Sequence, residues 1–244
     1  LSRMRNRLYI LILFAWICES CSLIDDYTLG DMAERRVSLP LTLEKFDIKG
    51  SFSITLLQDT VGFLVVKCHD KVIHDVDIKI QNDVLILREN VKSRWLKDYP
   101  IINIELHLAK IPMIEVRQPC KLNIPNIFKS HSFYLVDWGN YVDCSANVDV
   151  DILRIDVSGE SFGTYRCKGY AEYATLNAHG GALIDLSQTQ VKYCTANQGS
   201  TETMHIWVTD HLKANITTAG NIHLSGNPTI ELTRQGSGEL VRVP

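Results

Sequence analysis

The chain has 244 residues, 45% hydrophobic and 22% charged, enough apolar material for a sizeable core in one or two domains. Its 25 Lys and Arg stand against 28 Asp and Glu, a net charge of −3. The basic residues form no cluster, which excludes the electrostatic footprint of a nucleic-acid binder.

Residues 1–20 read as an export signal. Arg3, Arg5 and Arg7 precede the apolar run Leu8 to Ile17, a positive stretch followed by ten hydrophobic residues. A bilayer-spanning helix needs about twenty. The next step, Ser20-Cys21, resembles a bacterial lipoprotein signal, and that resemblance implies that Cys21 becomes the lipidated first residue of an outer-membrane or cell-surface protein. Plain secretion with cleavage nearby is the alternative. Residues 21–40 read as a tether, polar and aperiodic, with Asp25, Asp26, Asp31, Glu34, Arg35 and Arg36 and too few apolar positions for a helical face.

Residues 41–112 are predicted as an irregular β region, continuous with the downstream solenoid as its first coils or its cap. Phe52, Ile54 and Leu56 alternate with Ser53 and Thr55, and Ile102, Ile104, Leu106 and Leu108 repeat the pattern. Asn82-Asp83 between two apolar runs predicts a tight hairpin, because Asn tolerates positive φ. Residues 88–100 read as a polar loop.

Residues 113–244 are predicted as repeat coils. Glycines recur at Gly139, Gly159, Gly180, Gly199, Gly220 and Gly238, with gaps of 20, 21, 19, 21 and 18 residues. Each line alternates apolar and polar residues around its glycine, read as a turn needing positive φ. Ile155 and Val157, Leu176 and Ala178, Cys194 and Ala196, and Ile216 with Thr218 are predicted to face inward. Asp156, Asn177, Thr195 and Thr217 are predicted to form one outward column. One such coil cannot bury its own apolar face, whereas a stack of them can, so the fold class is all-β: a β-solenoid. An antiparallel sandwich, whose hairpins also carry glycine turns, is the alternative.

An enzyme on this scaffold would need paired carboxylates in one outward column, and the predicted column holds only Asp156. Asp137 is the other acid that a polysaccharide lyase or hydrolase would use. The eight histidines show no zinc spacing, so neither a metal nor a cofactor is expected. Cys68, Cys120, Cys144, Cys167 and Cys194 read as a stack of small buried thiols rather than a disulfide framework. Trp138, Tyr141, Asp156 and His179 are the candidates for a ligand surface.

Three segments carry a family resemblance: Ala219-Gly220-Asn221-Ile222-His223-Leu224-Ser225-Gly226-Asn227-Pro228, Gly236-Ser237-Gly238-Glu239-Leu240, and Phe46-Asp47-Ile48-Lys49-Gly50-Ser51-Phe52-Ser53-Ile54-Thr55-Leu56. Over residues 41–244 the chain resembles the putative autotransporter adhesin family with the head GIN domain, exported proteins of Gram-negative bacteria. Three turns depart from the family pattern: Trp138-Gly139-Asn140, His179-Gly180-Gly181 and Gln198-Gly199-Ser200. The resemblance implies a right-handed, pectin-lyase-like β-helix without catalytic residues, adhesion to a glycan or protein on a cell surface, and a homotrimer. The competing expectations are an enzyme on the same scaffold and a self-associating structural envelope protein.

Overall fold

The computed structural model describes residues 30–90, 101–139 and 141–243. The predicted export signal and the predicted lipid site Cys21 lie outside the described residues. What is described is a β-solenoid of about six turns.

Residues 32–38, read as tether, are strand β1 (Met32–Ser38), paired antiparallel along its length with β4 (Phe63–His69). Ala33, Arg35 and Val37 are half-buried while Met32, Glu34 and Arg36 are exposed. An edge strand needs only one partly covered face, and charges on the other guard it from pairing with another chain. Arg35 Nη1 donates to the Val76 carbonyl at 3.0 Å and the Arg36 guanidinium lies 3.7 Å from the Phe63 ring centroid. These arginines read as solvated linker in sequence, yet they fasten the strand.

The solenoid has two walls. The first stacks β1, β4, β7 (Ile102–Leu108) and β3 (Phe52–Gln58) onto the first half of β9 (Cys120–Asp137). The second stacks β5 (Val76–Gln81), β6 (Val84–Glu89), β2 (Lys45–Lys49) and β8 (Met113–Val116) onto the last residues of β9. The coil made of β2 and β3 therefore lies between the coil β6–β7 and the coil β8–β9, out of chain order. The N-terminal end is closed by the antiparallel strands β1, β4 and β5 and by the single helical turn among the described residues, α1 (Asp70–Ile73). Asn82 and Asp83, at φ 50° and 60°, make the predicted hairpin between β5 and β6.

From β9 onward each coil is one long strand bent over both walls: β10 (Val142–Val157), β11 (Thr164–Gly180), β12 (Leu183–Ser200) and β13 (Met204–Ile216). All pair parallel and in sequence. Register breaks near Ala146, Arg166 and Leu186 mark the corner between walls. The next coil is split into β14 (Ile222–Ser225) and β15 (Thr229–Arg234), both on β13, and β16 (Leu240–Arg242) begins a further layer on β14.

Alternation fills the tube. Leu135, Ile155, Leu176, Ala196 and Ala214 stack in one buried column, and Phe133, Leu153, Ala174, Cys194 and Leu212 in the next. Thr218, predicted inward, is half-exposed beyond the end of β13 and donates its hydroxyl to the Ser200 carbonyl. The five cysteines are buried and unpaired, but they do not stack: Cys144 faces Leu122 and Tyr165 across the ladders, and Cys194 faces Ala174 and Leu212. Arg234 on β15 occupies the inward column below Ile216, and Arg242 on β16 the one below Leu224. Charge thus sits where the next apolar layer would begin.

Four of the six glycines are needed for a different reason than predicted. Only Gly180 has positive φ, at 63°. A Cβ on Gly139, Gly199, Gly220 or Gly238 would instead come within 2.2 to 2.8 Å of backbone in the adjoining coil, so these positions are dictated by close approach between layers. Gly159 meets nothing within 4 Å. Corner glycines that the repeat did not flag, Gly169 and Gly226, do carry positive φ, at 116° and 92°.

Candidate functional site

The outer face of the second wall is organised by one column, and its membership differs from the prediction. Cross-strand register runs Asp47, Glu115, Val136, Asp156, Asn177, Asn197, Asn215. Thr195 stands one column over, between Thr175 and Lys213, and Thr217 lies past the ladder. The reason is coil length: Asp156 to Asn177 is 21 residues, Asn177 to Asn197 is 20 and Asn197 to Asn215 is 18. The glycines do not align either, since His179 faces Gly199 and Gly180 faces Ser200.

Stacked identical amides on parallel strands bond along the axis. Asn215 Nδ2 donates to Asn197 Oδ1 at 2.7 Å, and Asn197 Nδ2 to Asn177 Oδ1 at 2.7 Å. Asn177 Nδ2 donates to Asp156 Oδ1. Asp156 ends this ladder as its acceptor. Its other oxygen accepts from the Tyr134 hydroxyl at 2.8 Å and from Arg154 Nε at 2.8 Å.

On the other side of Val136 the same column carries carboxylates. Arg117 bridges Asp47 and Glu115, with Nε 2.9 Å from Asp47 Oδ1 and Nη2 2.7 Å from Glu115 Oε2. Lys45 reaches Glu115 at 2.9 Å and Lys49 reaches Asp47 at 2.8 Å. Burial alone would push the Asp47 carboxyl up, but the bonds from Lys49 and Arg117 outweigh it and hold the group below its ordinary value.

Val136 is small, and between the longer Glu115 and Asp156 it floors a groove of about 370 Å³. Tyr134, two residues back along β9, and Trp138, just past the end of β9, share its face and flank it. Arg154 and His179 complete the rim. Trp138 is 54% exposed, whereas the Arg154 guanidinium lies over the Tyr134 ring at 4.8 Å.

Three of the four predicted surface residues, Trp138, Asp156 and His179, thus line one groove. Tyr141 does not. It lies past the turn, on the first wall, where it lines a separate apolar cavity of about 230 Å³ with Phe52, Ile101, Pro119 and Cys120. Sequence reasoning missed Glu115, Tyr134 and Arg154, since each reaches the groove from a coil whose register the glycine spacing does not fix.

Asp137 faces the opposite way from its neighbour Trp138 and is fully buried. Its carboxylate accepts from the Ser161 hydroxyl at 2.6 Å, from the Gly139 N–H at 2.6 Å and from the Tyr165 hydroxyl. Burial, then the Asp137 charge, pushes the Tyr165 hydroxyl far above its ordinary value. This network pins the backbone on which Trp138 stands; it is not a surface acid. Among the described residues no group of three His, Cys, Asp or Glu is placed to hold a metal ion.

No curated protein matches the chain. Several solved structures share its fold at low identity. A putative adhesin from Bacteroides fragilis gives a TM-score of 0.76 at 18% identity, covering 87% of this chain and 97% of its own. A putative adhesin from Parabacteroides distasonis gives 0.68 at 16%, covering 88% and 98%. A putative lipid binding protein from the same organism gives 0.59 at 17%, covering 88% and 98%. The family model described as "Putative auto-transporter adhesin, head GIN domain" matches residues 42–228, and the chain belongs to that family.

Proposed function

We infer that the chain is a non-catalytic, exported surface protein that binds a glycan or protein ligand in the groove over Val136. The observation that carries the reading is the convergence of an exposed Trp138 with His179 and Arg154 around one groove. Ligand sites are concave, with aromatic area and a few placed polar groups, and roughly 300–1,000 Å³ is their usual size. The family and its structural neighbours, described as putative adhesins, support a surface role.

Two carboxylates, Glu115 and Asp156, line the groove. Both are held in ion pairs with cations on the same wall. An acid–base pair must have both carboxyls free to reach the substrate, and these two are already engaged with neighbouring side chains. That supports binding over hydrolysis or elimination.

Adhesion to mucin-coated or matrix-coated surfaces, by cells displaying the chain, tests the reading. Trp138→Ala and His179→Ala at equal surface level are expected to reduce adhesion several-fold, and unchanged adhesion overturns the groove as the contact. Release of sugar ends from a polysaccharide, abolished by Asp156→Asn, would overturn the non-catalytic part. Attachment through a lipid on Cys21 belongs to the same reading, and palmitate incorporation lost in Cys21→Ala checks it. Light scattering on the intact chain tests the trimer.

A further inference from the structure

The groove's hydrogen-bonding capacity is spent unevenly. Along this column the carboxylates Asp47, Glu115 and Asp156 are held by the cations Lys45, Lys49, Arg117 and Arg154, of which Arg154 alone lines the groove. Every carboxylate has a cation within 2.9 Å. Arg154 commits only Nε to Asp156, and its two Nη groups make no hydrogen bond to another described residue. Its side chain remains 45% exposed. Trp138 likewise leaves its indole N–H unengaged among the described residues, with its ring open to solvent. A cationic ligand would find the face of Tyr134 already covered by Arg154 and each acid already paired. What the groove still offers is a planar pair of guanidinium donors, the donor geometry that suits a carboxylate, beside an apolar aromatic plate.

Resting on the reading of this groove as the ligand contact, we propose that it takes a carboxylate-bearing sugar residue of an acidic glycan. The sugar ring lies against Trp138 and its carboxylate accepts from the Arg154 Nη groups. The sugar hydroxyls meet His179 and the free acceptor capacity of Asp156.

The test is titration of the full chain with two acidic probes, a glucuronate-containing hexasaccharide and sialyllactose, beside the carboxyl-reduced hexasaccharide and lactose. At low salt at least one acidic probe is expected to bind tenfold or more tighter than its neutral counterpart, and the preferred probe identifies uronate or sialate as the source. Arg154→Gln is expected to erase that preference and Arg154→Lys to retain part of it, with circular dichroism confirming that both fold. Trp138→Ala is expected to weaken acidic and neutral probes alike. Equal or tighter binding of the neutral probes, no binding of either acidic probe, or a preference that survives Arg154→Gln overturns the acidic-glycan assignment. Where neutral probes bind as tightly as acidic ones and that binding still depends on Trp138, the acidic-glycan assignment falls and the groove reading stands. Binding indifferent to both Trp138 and Arg154 overturns the groove reading as well.

Discussion

A glycine in a solenoid can serve the turn or the neighbour, and the two roles respond differently to a methyl group. At Gly220 a Cβ would sit 2.3 Å from the Ser200 carbonyl oxygen and 2.4 Å from that of Glu202, both backbone atoms that cannot step aside. Gly220→Ala is therefore expected to cost about 2 kcal/mol or more, as overpacking does. Gly159 has open space around it and no positive φ, so Gly159→Ala is expected to be neutral, or stabilising by up to about 1 kcal/mol through a less flexible unfolded chain. Urea denaturation of the two variants side by side checks both. The pair also shows what was readable at this scale. The recurrence of glycine is visible in the sequence, but the force behind each one is not, because it depends on which carbonyl lies across the next layer. For the same reason Trp138, Asp156 and His179 could be singled out one by one, whereas Glu115, Tyr134 and Arg154 could not be assigned to their company.

At the level of strands, the alternation of Ile155 with Val157 and Leu176 with Ala178 sufficed to give the inward face, since period two survives any change in coil length. Column membership needs the coil length itself, and corner bulges vary it from 18 to 21 residues, which moved Thr195 and Thr217 out of the predicted stack. Strand β1 was hidden for another reason: an edge strand that itself carries Glu34, Arg35 and Arg36 has the composition of a linker. The opposite end follows the same logic of guarded edges. Arg234 and Arg242 stand in columns that are Ile216 and Leu224 one layer up, and Arg242 Nη1 donates to Asn227 Oδ1 at 3.1 Å. Inward charge on a terminal strand discourages addition of another layer. Replacing both with Leu is expected to convert the end into an apolar template, seen as concentration-dependent dimers or larger species by light scattering. A double variant that disperses as the parent does would show that the arginines are not the barrier.

For the molecule as a whole, the buried thiols make stability depend on alkaline pH. Burial pushes Cys120, Cys167 and Cys194 up to about 12, and Cys144 well above its ordinary value. Below about pH 8.5 both folded and unfolded chains hold these protons, and the full stability is present. Between about pH 9 and 12 the unfolded chain releases them while the folded one does not. Stability then falls by roughly 1.4 kcal/mol per pH unit for each thiol. Denaturation midpoints measured from pH 8 to 11 in reducing buffer are expected to drop steeply, and Cys194→Ala to lessen the slope by one thiol's share. A flat profile would contradict the burial of these side chains.

The coil β2–β3 is sandwiched between segments that come later in the chain, β6–β7 on one side and β8–β9 on the other. A polypeptide emerging amino end first cannot wind this tube as a spring is wound. Its earliest turn must wait, half bare, until residues more than fifty positions downstream arrive to cover it. Assembly therefore begins by interleaving and only afterwards by zippering, and the bare interval is when a chaperone would have the most surface to hold.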